Sequence, residues 1–234
     1  MNGQTNLRSI DSITPAGQAG PLLRWLLPIS WAVAAVGYFG PWIGHQTAAL
    51  TVTGVDMAEF VKFVPGIAEA SFPIFRELFY LPPLAVVVSV AVLIGSKELA
   101  YPRPFRALVL GLALPLSLQL LPPAWSPGVL LTAEFRLQTA ALLLCWLLLA
   151  SFWLLARLPV VVRSALSAIP VLGAGTLPVW QLVTLRPAID GVYGSQVSLG
   201  WGLFACLAGL ALIVVTNVVL FLGSRQTRTG PWAT

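Results

Sequence analysis

His45, Asp56, Glu59, Glu69, Arg76 and Glu77 all fall between Tyr38 and Phe79, in a segment reading YFGPWIGHQTAALTVTGVDMAEFVKFVPGIAEASFPIFRELF. His45 is the only histidine, and the four carboxylates are half of the eight acidic residues. Imidazole and carboxylate are suitable ligands for a cation or a substrate amine. Two readings compete for them. In one, His45, Asp56, Glu59, Glu69 and Glu77 converge on a ligand, or the segment docks a partner. In the other, Asp56 and Glu59 satisfy the first amides of a short helix and Lys62 pairs with Glu59 or solvent. The spacing follows no metal-binding pattern, so neither a metal nor a cofactor is expected.

Arg76 and Glu77 abut an apolar run that starts at Leu78. A charge at membrane depth is costly unless paired or hydrated. A long side chain at a span end reaches water by snorkelling, the simpler expectation for Arg76. The sharper alternative is a contact of Arg76 or Arg136 with a carboxylate on another loop. Phe75-Arg76-Glu77-Leu78 is echoed by Glu134-Phe135-Arg136-Leu137, each ahead of an apolar run. Elsewhere the chain has no HExxH, no GxSxG and no glycine-rich phosphate loop, so an enzyme is not expected. A membrane enzyme would have to be built on the outer carboxylates.

The elements that must position these groups follow from composition. The chain has 234 residues, 58% hydrophobic and 9% charged. Soluble domains carry about 25% charged residues. A bilayer removes the need for a charged surface, so an integral membrane protein is the economical reading. The net charge is +5 and the basic residues are scattered. Nucleic acid is therefore not an expected partner, since phosphate contacts need grouped cations. Cys145 and Cys206 lie inside apolar runs and read as packing residues. The polar residues 1–20 read as a disordered cytoplasmic tail, and 225–234 as a second, shorter one.

Apolar runs occur near 22–43, 78–96, 105–122, 137–158, 164–185 and 199–223. A span needs about 20 residues. The expected fold class is all-α: a polytopic membrane protein with six transmembrane helices in three hairpins. The membrane domain covers 21–224, with outer loops 44–77, 123–136 and 186–198. The positive-inside rule puts both termini in the cytoplasm. Arg8, Arg24, Lys97, Arg103, Arg106, Arg157, Arg163, Arg225 and Arg228 then lie inside, and Lys62, Arg76, Arg136 and Arg186 outside. Trp25, Trp42, Trp125 and Trp201 fall near span ends, where interfacial aromatics belong.

Within the first outer loop, 48–53 alternates as a short extended stretch. Asp56 with Glu59 suggests a capping box. Met57, Phe60, Val61 and Val64 then form one apolar face, and Pro65-Gly66 ends the helix. This predicts a short amphipathic helix over 56–64, lying on the outer surface or folded over the bundle. Pro115 in the third run, and Pro170, Pro178, Gly173 and Gly175 in the fifth, predict packing against other helices.

Gln119, Gln138, Gln181 and Asn217 are the main strongly polar side chains in the runs. A proton pump or ion-coupled transporter usually needs acids or histidine there. Gly202, Ala205, Ala208 and Gly209 would admit a close neighbour, internal or from another subunit. The turn carrying Lys97, Arg103 and Arg106 would meet an ATPase partner or anionic lipid headgroups. The expectation is a multi-pass protein of the cell membrane: a non-catalytic subunit, foremost a permease-like component of a transport complex, with the lipid bilayer and other membrane or ATPase subunits as partners. The rival is an accessory or scaffolding subunit that binds its neighbours through 44–77.

Overall fold

The computed structural model describes residues 21–44, 51–64, 74–122 and 126–226. It is mostly helical, as expected. Leu22–Phe39, Arg76–Leu93, Val160–Tyr193 and Trp201–Ser224 are long and apolar enough to cross a membrane. Several such helices make this a membrane-embedded, multi-pass chain.

Helix α1 covers Pro21–Phe39. Farther along the chain, a 3-10 turn at Arg76–Tyr80 leads into α3, Leu81–Leu93. Eleven of the thirteen α3 residues are buried. Its sequence, LPPLAVVVSVAVL, is apolar on every side, and such a helix belongs in the middle of a bundle. Helix α4 covers Arg103–Ser117 and continues as a 3-10 turn at Leu118–Leu120. Helix α6, Arg136–Ala150, breaks at Ser151 and resumes as α7, Phe152–Leu155. Helix α8, Val160–Tyr193, has 34 residues, about 50 Å at 1.5 Å per residue. It stays continuous through Pro170, Pro178 and Pro187. Helix α9 covers Trp201–Gln226.

Packing does not follow chain order. The most extensive pair is α1 with α9, and α3 lies against α8, α6 and α4. The α1–α9 seam depends on missing side chains. A Cβ on Gly209 would lie 2.7 Å from the Cα of Ala34, and one on Gly37 would strike the backbone of Cys206. The small residues of the last span are thus used inside the molecule, as small-residue helix seams are in membranes. Helix α8 meets both α3 and α9, as its prolines predict, while Gly175 has open space beside it. Helix α4 is peripheral: Leu108, Leu112, Leu114 and Leu118 are exposed.

Beyond an all-α bundle there is a small antiparallel sheet in the order β2-β1-β3, from β1 (Pro41–Gly44), β2 (Val52–Thr53) and β3 (Ser198–Leu199). Ile43 pairs with Val52 on one side and Leu199 on the other. Trp42, expected in an interfacial belt, is instead 1% exposed. Its indole Nε1 donates to the Gly37 carbonyl at 3.2 Å, and its ring meets Tyr38 and Phe79 edge-on. Trp25 and Trp201 are exposed near their helix starts, as expected, and Trp125 lies outside the described residues.

The connection between α8 and α9 is shorter than the expected 186–198, because α8 persists to Tyr193 and Gly194 ends it in the left-handed conformation, φ 63°. The connection ahead of α6 contains a four-residue helix, α5, Pro127–Leu130.

Candidate functional site

The short helix expected near 56–64 forms and folds over the bundle. It is α2, Met57–Phe60, followed by a 3-10 turn at Val61–Phe63. Met57, Ala58, Val61 and Val64 are buried, and Phe60 stacks on Tyr193 at the end of α8 with centroids 6.4 Å apart. The capping box does not form. The Asp56 carboxylate turns back and accepts from the Thr53 hydroxyl at 2.6 Å and the Thr53 amide at 3.3 Å. With the Asp56 amide also bonded to Thr53, this turn closes β2 onto α2 and leaves the helix amides to the backbone. Pro65 and Gly66 lie outside the described residues, as do His45 and Glu69.

Glu59, Arg76 and Glu77 come together, with Lys62 and Glu134. Lys62 Nζ lies 2.7 Å from Glu59 Oε2 and 3.0 Å from Glu134 Oε1. Arg76 Nη1 lies 3.0 Å from Glu134 Oε1 and 3.5 Å from Glu59 Oε1. Arg76 Nε is 3.4 Å from Glu77 Oε1, and its Nη2 donates to the Glu134 carbonyl at 2.9 Å. The Phe135 ring lies beneath both cations, 4.9 Å from Arg76 Cζ and 5.5 Å from Lys62 Nζ. Arg76 therefore does not snorkel. It is 11% exposed and clamps the segment ahead of α3 to the segment ahead of α6.

Chemically this cluster is closed. Glu59, Glu77 and Glu134 each touch a cation within the cluster. Its hydrogen bond from the Lys62 ammonium holds the Glu134 carboxyl below the usual carboxylate range, with Arg76 adding to the effect. Among the described residues no group of three or more His, Cys, Asp or Glu could hold a metal ion. The sequence echo at 75–78 and 134–137 is where the clamp forms, with Phe135 and Glu134 of one copy receiving Arg76 of the other.

Two polar constellations escaped sequence reasoning. Where α8 begins, Arg163 is 4% exposed and donates through Nη2 to both Glu98 oxygens at 2.8 Å and through Nη1 to Ser96 Oγ at 2.6 Å. Within the bundle, Trp31 Nε1 donates to Ser89 Oγ at 3.0 Å, Ser167 Oγ to Ser89 Oγ at 2.9 Å, and Asn217 Nδ2 to Ser167 Oγ at 3.0 Å. This chain stitches α1, α3, α8 and α9. The Asn217 Oδ1 and both amide atoms of Gln138 and Gln181 are buried without a hydrogen-bond partner among the described residues. Asn217, Gln138 and Gln181 carried a signal, as strongly polar side chains in apolar runs, while Ser89, Ser167 and the Arg163–Glu98 pair carried none.

Lys97 and Arg103 are exposed and Arg106 half-buried, on the segment joining α3 to α4 and the start of α4. Tyr101 in that segment is buried, donates to the Arg24 carbonyl at 2.6 Å, and has its phenol pKa pushed up by burial. A cleft lies elsewhere, between α1, α3 and α4. It measures about 390 Å³ and is apolar apart from Gln119 at one end. No family model, curated protein or solved structure matches the chain.

Proposed function

We propose that the protein is a non-catalytic accessory subunit of a membrane assembly, crossing the bilayer six times with both termini in the cytoplasm. The four long apolar helices account for four crossings. Helix α4 with its 3-10 extension covers Arg103–Leu120, and α6 with α7 covers Arg136–Leu155. Both reach the roughly 17–25 residues a crossing uses. The basic residues favour the end that holds Arg24, Lys97, Arg103, Arg106, Arg157 and Arg163 as cytoplasmic.

One observation carries the accessory role: the bundle interior joins its polar groups helix to helix, from Trp31 through Ser89 and Ser167 to Asn217. A solute pathway would put a polar cavity along α8. The closed outer ion cluster likewise favours a structural cap over a catalytic centre. The permease-like reading draws its support from Gln138, Gln181 and Asn217, whose unpartnered buried atoms are suited to a hydrated path in a rearranged state.

The test is quantitative mass spectrometry of the tagged full chain isolated in mild detergent from its native membrane. A membrane protein recovered at about one-to-one without an ATP-hydrolysing subunit supports the accessory role. A stoichiometric ATPase transfers support to the permease reading. Recovery of the chain alone overturns both.

A further inference from the structure

We propose that the cleft between α1, α3 and α4 is a binding site for one anionic phospholipid, its acyl chains in the cleft and its headgroup on Arg24, Arg103 and Arg106. The α1 wall runs from Pro28 to Phe39, twelve residues, or about 16 Å along the helix. Half of a roughly 30 Å hydrocarbon core is about 15 Å, so the cleft is one leaflet deep. Trp31, Val36 and Leu112 line it with apolar surface, and the volume falls within the range of preformed ligand sites, about 300–1,000 Å³.

The charge at one end selects the headgroup. Tyr101 and Phe105 tie the start of α4 to the start of α1: the Tyr101 hydroxyl bonds to Arg24, and Phe105 meets Trp25 edge-on at 5.4 Å. The Arg24 guanidinium lies over the rings of Tyr101 and Trp25, at 5.6 and 5.9 Å, and not on a carboxylate. Its Nε has no hydrogen-bond partner among the described residues. Arg103 and Arg106 flank Phe105 in the first turn of α4, where the helix dipole adds positive potential. Glu98, the acid on the segment between α3 and α4, is held by both oxygens on Arg163. Among the described residues, Arg24, Arg103 and Arg106 have no ion-pair partner. Arg24 precedes Pro28 on α1 and Arg106 precedes Val109 on α4 by about one helical turn, so the basic cluster sits one turn from the lining of the cleft. Basic residues at the end of an apolar slot between spanning helices take a phosphate headgroup with its chains. A soluble phosphate would leave the slot empty.

Each arginine beside an anionic headgroup contributes about fivefold in binding, and three together about a hundredfold. The full chain in detergent is examined by native mass spectrometry with phosphatidylglycerol or phosphatidylcholine of matched acyl chains. We expect one retained phosphatidylglycerol, favoured over phosphatidylcholine by about a hundredfold. R24Q/R103Q/R106Q brings the two lipids level, and R24K/R103K/R106K keeps the preference. Ala32→Trp fills the cleft from an exposed position on α1 and lowers retention of both lipids while the melting temperature stays unchanged. Equal retention of both lipids by the unaltered chain, full phosphatidylglycerol retention by the glutamine variant, or unchanged retention by Ala32→Trp overturns the proposal.

Discussion

Replacing Glu98 by Ala strands a buried cation. Arg163 keeps only its bond to Ser96, because both Nη2 contacts are lost and its Nε has no partner even now. Its side chain is 4% exposed, so water cannot substitute, and Glu98 at 28% is itself mostly sheltered. Removing one member of such a pair costs about 3–5 kcal/mol. At about 2–4 °C per kcal/mol for a chain of this size, Glu98→Ala lowers the unfolding midpoint by about 6–20 °C. Replacing both members by apolar residues removes the stranded charge along with the pair. Glu98→Ala with Arg163→Met therefore recovers to within about 1 kcal/mol of the unaltered protein. The measurement is thermal unfolding in detergent, followed by tryptophan fluorescence for the two single variants and the double. A midpoint loss for Glu98→Ala below about 2 °C would show the guanidinium finding water. A double variant as damaged as the sum of the singles would show two independent losses and no coupling. Either result refutes the reasoning.

Three further outcomes follow from other parts of the structure. Gly209→Leu forces α9 away from Ala34 and costs about 1–3 kcal/mol or more, whereas Gly223→Leu, with open space at its Cβ, leaves the unfolding midpoint unchanged. Ser89→Val leaves Trp31 Nε1 unpaired and costs about 1–3 kcal/mol, while Asn217→Leu removes its own orphaned oxygen and costs less; the ranking is read from the same unfolding assay. The Glu134 carboxyl titrates below its ordinary range in the folded state, so its contribution is present above that range and fades as pH falls through the lowered value. Protection at 57–63 and 127–135, corrected for the intrinsic pH dependence of amide exchange, therefore falls as pH drops through and below the ordinary carboxylate range, and Glu134→Gln flattens that dependence; identical protection profiles for the two proteins would remove Glu134 from the clamp.

The clamp and the inner ion pair were legible to different degrees. Arg76 declared itself by lying against an apolar run, and a contact with a carboxylate on another loop was one of its two readings. Nothing in local spacing could say that Arg76 would choose Glu134, 58 positions away. Arg163 and Glu98, 65 apart, gave less, because each sits among residues that read as ordinary interfacial charges. Trp42 misled because a tryptophan near a span end suits an interface as well as a core. Its burial depends on β1 being covered by Phe79 and the sheet. Asp56 misled because a capping box and an Asp–Thr turn share the same short-range signature.

The sequence by itself determined that the chain lives in a membrane. Its charge is too sparse for a water-facing surface, and its apolar runs are long enough to cross. It also determined that 57–64 would bury one face, since helical spacing of Met57, Val61 and Val64 is a local property. Only the tertiary structure decided the neighbours. In lipid every face of a helix is apolar, so periodicity no longer says which face is inner, and the seam falls where backbones approach most closely. That put α1 against α9, α3 in the centre, and β1 between strands drawn from both ends of the chain. It also left α4 at the edge, with an apolar cleft near three arginines that have no ion-pair partner among the described residues.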